Sequence, residues 1–382
     1  MDRLGAREHP PAHLPHTGSG TPPNMNATQI LKLSTLLLPL PLLLGSNAPA
    51  TRVAFTVAEG KSLTKSFEMK SDLSLEDMTM GGAAGGMMPD IEMTMGIEYK
   101  VSVTDEYAKV DGGAPKKLKR TYDALGSDVT TSMKMEIMGQ SRDADTNSSA
   151  ESELEGKSVS FTWDAEKTEF VRAFDPAGGE EKLLEGLRED MDLRALLPEG
   201  EVKEGEEWEI DPKELVDVLA PGGDLAMKPK ESGAKEDGMG MGPSGMENLA
   251  DMFGEDVEGK ATAKFTGMRE VDGTQCAVVK LTIAIKAKTD MTERVREQLK
   301  DQDPPEGVES MDITSLDVEY ELEAEGELLW NVGGGHFHSL DMSGTNNFKS
   351  DQSISMKVGG REMAIEQSME FSGTTSFQAT AK

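Results

Sequence analysis

The chain runs to 382 residues, and its 70 acidic and 39 basic side chains give a formal net charge of −31. That balance argues against nucleic acid and anionic lipid surfaces as partners. One cysteine, Cys276, rules out an intramolecular disulfide, and five histidines leave little material for imidazole chemistry.

Residues 1–24, rich in Pro, His and Gly from His9 to Pro23, read as a non-native N-terminal extension, with Met25 the better start. Residues 25–50 read as a signal peptide. Lys32 precedes an apolar run from Leu36 to Leu44, and Ala48-Pro49-Ala50 supplies an Ala-x-Ala site with cleavage after Ala50. The apolar run falls far short of the ~20 residues that span a bilayer. No later segment is apolar enough to cross a membrane as a helix. The mature chain is therefore expected outside the cytoplasm, periplasmic or secreted, with no transmembrane helix.

Beyond the leader, strict alternation of apolar and polar residues predicts half-buried strands. Leu63, Phe67, Met69, Leu73 and Leu75 share one face. Ile91, Met93, Met95, Ile97, Tyr99, Val101 and Val103 share another, with Asp111-Gly112-Gly113 a hairpin turn after them. Met133, Met135 and Ile137, then Val159, Phe161 and Trp163, give two more strands. Helical spacing of Leu183, Leu184, Leu187 and Met191 predicts a helix over 180–197. Asp211-Pro212 caps a second over 213–219. Residues 81–89 and 221–242 read as mobile, with a short helix over 246–253 after the second.

The later part repeats the pattern. Val279, Leu281, Ile283 and Ile285 line one strand. A helix follows Thr289 through Met291, Val295 and Leu299 until Pro304. Val318, Tyr320, Leu322, Ala324, Leu328 and Trp330 form a long stripe. Ile354, Met356 and Val358, a Gly359-Gly360 turn, and Met363, Ile365, Met369 and Phe371 complete the strands. The expected fold is mainly β. Long antiparallel strands form curved sheets or half-barrels in two similar halves, 51–200 and 201–382, with a few short helices. A Gly- and Met-rich insertion is expected over 221–259.

The stretch from Leu196-Leu197-Pro198 through Val202-Lys203 and Gly205 to Trp208 resembles a junction in a group of bacterial exported two-part β-rich proteins of unknown function. Gly326-Glu327-Leu328-Leu329-Trp330, followed by 335–340, is similar to a later strand pair there. The resemblance implies no activity. More loosely, long antiparallel strands with helices on one side are similar to periplasmic lipoprotein carriers, whose half-barrels hold acyl chains.

Nucleophile elbows, P-loops, dinucleotide fingerprints and H-E-x-x-H are absent from the sequence. The chain is thus expected to be non-catalytic and without a cofactor. Its methionines, 25 in all, offer thioethers for copper(I) where loops expose them: Met78, Met80, Met87, Met88, Met239 and Met241. Met93, Met95, Met133 and Met135 fall on strand stripes and read as core. His336 and His338 would share a strand face as a bidentate pair for zinc or copper. Asp143-x-Asp145-x-Asn147 begins like a calcium loop but has Ser148 and Leu154 at its sixth and twelfth positions. Cys276 reads as a small buried residue, and Trp163 and Trp330 read as core anchors. The sequence therefore favours an envelope protein that binds a hydrophobic small molecule, with an interaction module for another envelope protein and a copper- or zinc-handling protein as alternatives.

Overall fold

Alternation becomes architecture over most of the chain. A computed structural model describes residues 49–82, 90–137, 140–230, 256–299 and 307–382. The strands, in chain order, are β1 (Thr51–Arg52), β2 (Ser62–Gly82), β3 (Asp90–Asp111), β4 (Ala114–Ile137), β5 (Gln140–Ser152), β6 (Ser158–Asp164), β7 (Glu169–Phe174), β8 (Glu201–Val202), β9 (Glu207–Ile210), β10 (Met227–Pro229), β11 (Asp256–Val271), β12 (Thr274–Asp290), β13 (Ser310–Asn331), β14 (His336–Val358) and β15 (Arg361–Ala381). Among the described residues, two helices, α1 (Leu215–Leu219) and α2 (Thr292–Leu299), and two 3-10 turns complete the regular elements. No helix among the described residues is long and apolar enough to cross a membrane.

Thirteen strands form one antiparallel sheet in the order β10-β5-β4-β3-β2-β15-β14-β13-β12-β11-β9, with β6 on the first half of β4 and β7 beyond it. The six longest strands, of 21 to 24 residues, reach about 70 to 80 Å. Neighbouring strands are joined tightly where the sequence supplies residues for positive φ. Gly112 and Gly113 (φ +60 and +77) join β3 to β4, and Gly359 and Gly360 (φ +57 and +76) join β14 to β15. Asp272-Gly273 (φ +51 and +77), which the sequence reading passed over, turns β11 into β12 in the same way. Positive φ at both central residues matches the right-handed twist of the flanking strands.

Contacts gather this region into one compact unit. The sheet runs without a break between its early and late strands, because the last strand, β15, pairs with the second, β2, from Lys65↔Ala381 to Gly82↔Ile365. The expected boundary at residue 200 falls between β7 and β8 and leaves no gap in the sheet.

One face of the sheet is dry. Phe67, Met95, Val103, Leu281, Ile283, Leu322, Leu328, Phe348 and Phe371 all lie on it, each at most 3% exposed. We call it the inner face. Residues 53–57, a strap over 181–197, and α1 and α2 roof it. Leu183, Leu187, Met191, Leu196, Leu215, Leu219 and Val295 from these segments join the same core. Towards the Gly359-Gly360 end the stripe thins: Ile354, Met356, Met363 and Ile365 are half-buried.

Three expectations change. The segment 180–197 is not a helix but two 3-10 turns, Glu181–Leu184 and Arg194–Leu196, separated by irregular chain. Gly186 and Leu193 adopt φ +71 and +57, outside the right-handed helical region, so the i→i−4 ladder is broken there, and the Arg188 and Glu189 carbonyls between them accept hydrogen bonds from Arg120. Residues 221–259 are not wholly an insertion, since Met227–Pro229 pairs with β5 and Asp256 already opens β11. Gly81 and Gly82 belong to β2; the rest of 81–89, together with 231–242 and 246–253, lies outside the described residues.

Candidate functional site: a buried ionic network under the strap

The inward parity of three adjacent strands carries charges where the pattern calls for apolar residues. On β2 it runs Leu63, Lys65, Phe67; on β3, Val103, Asp105, Tyr107; on β4, Leu118, Arg120, Tyr122. All nine are buried, and Lys65, Asp105 and Arg120 wholly so. Register places Asp105 directly opposite Arg120, with Leu63 opposite Asp105 on the other side. Side chains directly opposite in an antiparallel pair are close enough to interact.

The geometry is fully engaged. Arg120 grips Asp105 with two bonds, Nε to Oδ1 at 2.8 Å and Nη2 to Oδ2 at 2.8 Å. Such a fork is the strong form of the ion pair. Lys65 Nζ lies 2.7 Å from Asp105 Oδ2 and 2.6 Å from Asp192 Oδ1 on the strap. Tyr107 donates its hydroxyl to the same Asp192 oxygen at 2.5 Å. Arg120 also donates to the strap backbone, to Arg188 O at 2.9 Å and Glu189 O at 2.8 Å. Arg194 pairs with Glu189 and, at 3.1 Å, with Asp190. Its guanidinium lies 5.7 Å from the Phe55 ring centroid, and that of Arg120 lies 5.3 Å from the Phe161 centroid.

Burial and charge then pull on each group. Burial alone would raise the Asp105 carboxyl, but the Arg120 guanidinium and Lys65 ammonium outweigh it and hold the group below its ordinary value. Tyr107 is pushed well up, first by burial and then by Asp192. Burial pushes Tyr122 up to about 12. Glu189 is pushed up to about 7: burial dominates, Arg194 opposes it, and Asp190 and Asp192 add to it. Two acceptors, Glu189 Oε1 and Asp192 Oδ2, are buried without a hydrogen-bond partner among the described residues.

Chemically the network is an adhesive. Lys65, Asp105, Arg120 and Asp192 are closed off from solvent, so no substrate atom can approach them as they stand. The strap continues outward to the roof through Arg188, which pairs with Asp217 of α1. Leu187 bridges Gly223, whose φ is +77; a Cβ there would sit 2.3 Å from Gly186 O, so glycine permits the approach. Trp208 Nε1 donates to Leu196 O at 3.2 Å. The sequence reading passed over this site, although its signal was present: a lone charge at core parity on each of three neighbouring strands.

The residues singled out from the sequence scatter. Met78 and Met80 are half-buried on β2 rather than in a loop, 78 packing against the core. Met87, Met88, Met239 and Met241 lie outside the described residues. Met93 and Met95 are buried as core, while Met133 and Met135 are half-buried. His336 is buried, and both its ring nitrogens are occupied: Nδ1 donates to Phe337 O at 2.7 Å and Nε2 accepts from Asn331 Nδ2 at 3.3 Å. Burial lowers its pKa. The register slips between Leu329↔Ser339 and Trp330↔Phe337, leaving His338 as the extra residue of a bulge. A bulge interrupts the two-residue alternation, so the shared face expected for His336 and His338 is broken.

Asp143, Asp145 and Asn147 lie on the extended strand β5 and are exposed, not in a loop that could wrap an ion. Among the described residues no group of three or more His, Cys, Asp or Glu is placed to hold a metal. Cys276 is buried with Val278 and Leu329 on the outer face, and burial raises its thiol pKa. Trp330 is wholly buried and donates to Ala54 O at 3.2 Å; Trp163 is half-buried against Phe170 at 5.2 Å.

Two cavities bear on binding. An open, polar groove of about 380 Å³ crosses β2, β15, β14 and β13, with Asp317, Asp351 and Glu366 on its walls. An apolar one of about 10 Å³ lies between Leu219 of α1 and the inner face at Met69, Tyr320, Leu322, Met342 and Phe377. The second is no larger than the space of one water.

No family model and no curated protein matches the chain. Among solved structures it is similar to the outer membrane protein OprG from Pseudomonas aeruginosa, at 7% identity over 86% of this chain and 97% of that one, with a TM-score of 0.20. At that score the likeness carries no argument. The class that the fold and site define is an antiparallel β protein with one large sheet whose dry face is roofed by short segments.

Proposed function

We propose that this is an exported, non-catalytic protein of the cell envelope that acts by binding, with a hydrophobic molecule held between the sheet and its roof. What carries the reading is the form of the roof. Among the described residues, the inner face of the large sheet is covered by short segments: residues 53–57, the strap, the two helices and the two-residue strand β8, whose Val202 joins the core. The seam under α1 is lined by Met69, Leu219, Tyr320, Leu322, Met342 and Phe377. Flexible thioethers and aromatic rings suit variable apolar ligands. At about 10 Å³ the seam is shut, so a ligand must lift α1 away from the sheet to enter.

The same tight seam supports a second reading, an interaction module that meets another envelope protein through its outer face and keeps its interior closed. The two are separated by organic extraction and mass spectrometry of protein purified from its native envelope. A stoichiometric apolar molecule supports the first reading. A clean spectrum sinks it, and cross-linking in intact cells should then return a protein partner.

A further inference from the structure

The strap carries one carboxyl more than its surroundings can neutralise. Lys65, Arg120 and Arg194 supply three positive charges. Asp105, Asp190, Asp192 and Glu189 would supply four negative ones. Asp105 is bracketed by two cations, and Asp192 holds Lys65 and the Tyr107 hydroxyl. Glu189 is the remainder. Among the described residues its ion-pair partner, Arg194, is shared with Asp190, and its Oε1 is buried without a hydrogen-bond partner; its side chain is 4% exposed. A buried carboxylate in that position is disfavoured unless it takes up a proton.

We propose that residues 186–194 form a pH-responsive latch, seated on Lys65, Asp105 and Arg120 when Glu189 is protonated and loosened when it ionises. Seating engages the whole segment: Arg120 holds the Arg188 and Glu189 carbonyls, Lys65 and Tyr107 hold Asp192, and Arg188 ties the strap to Asp217 of α1. Loosening it frees one end of the roof.

Other titrating groups face the latch from each element packed on it. From β2 and β3 come Lys65, Asp105 and Tyr107, from β4 Arg120 and Tyr122, and from α1 and the turn after it Asp217, paired with Arg188, and Asp224, packed against Gly186. At the start of β14 His336 feels Asp192, Lys61 and Lys65. Burial keeps that histidine below its ordinary value, and the two tyrosines are displaced upward, away from neutrality. Glu189, at about 7, changes charge between them. The sign follows. A carboxyl raised on folding favours the seated state below its free value, and that advantage is lost as pH rises towards the seated value. With 4.5 for the free group and about 7 for the seated one, the opening equilibrium should rise about tenfold between pH 6 and pH 8.

Hydrogen exchange of the full chain tests this, read as protection factors so that the intrinsic pH dependence of exchange drops out. Amides at 187–194 should lose about tenfold protection from pH 6 to pH 8 while those of β13 and β14 hold. Glu189→Gln should flatten the strap's profile, and Asp190→Asn, which removes a negative neighbour, should move the loss to lower pH. A flat wild-type profile, or an unchanged loss in Glu189→Gln, overturns the latch.

Discussion

The two ends of the sheet use one strand pattern and two kinds of adhesive. On β12 and β13 the inward row carries no charge, with Val279, Leu281, Ile283 and Ile285 against Leu322, Ala324 and Leu328, and the roof packs on these strands and their neighbours through Leu219, Met291 and Val295. On β2, β3 and β4 the same inward row breaks into Lys65, Asp105 and Arg120, and the roof is bound by ion pairs. An apolar contact is non-directional and tolerates sliding. A forked, fully buried ion pair has one good geometry, and a partner left alone there is costly. The comparison teaches that the apolar end supplies stability, while the ionic end fixes where the strap sits.

The largest effect should come from the ionic end. Asp105→Ala leaves Lys65 and Arg120 buried and unpaired, and urea unfolding should show a loss of about 3–5 kcal/mol. Leu322→Ala probes the apolar end, where cavity formation under α1 should cost about 2–4 kcal/mol. An equal loss in both variants would erase the proposed contrast unless the two differ with pH, and they should. Asp105 sits below its ordinary value, so its contribution is present above the unfolded carboxyl pKa and disappears as pH falls through the folded one. Acid titration below about pH 4 should therefore destabilise wild type and Leu322→Ala, but change Asp105→Ala less.

Smaller effects sharpen the picture. Trp208→Phe removes the indole bond to Leu196 O and should cost about 1 kcal/mol, with the added exchange confined to the strap. On the outer face, Glu319 meets Lys286 at 3.0 Å and Lys288 at 3.2 Å. Both lysines are about half exposed, so Glu319→Gln should shift stability by no more than about 0.5 kcal/mol, less at high salt.

Most of the sheet was legible because period-2 alternation is a local signal. The stripes on β3, β12 and β13, and the Gly112-Gly113 and Gly359-Gly360 turns, stand where the residues place them. The strap was not legible: Leu183, Leu187 and Met191 have helical spacing, yet Gly186 and Leu193 take positive φ where the segment docks on Arg120. His336 and His338 look like a pair on paper, but a bulge set by the partner strand β13 separates their faces.

The sequence by itself determined the strand class, the glycine-pair turns, and which face is dry where the alternation runs unbroken, since all three depend on neighbours within a few residues. Only the tertiary structure decided that β15 closes onto β2 to make one sheet. It alone brought Lys65, Asp105 and Arg120, from three strands, together with Asp192 of the strap. Register between strands distant in sequence is set by the packing of whole faces, and a buried charge declares its role only when its partner is in place.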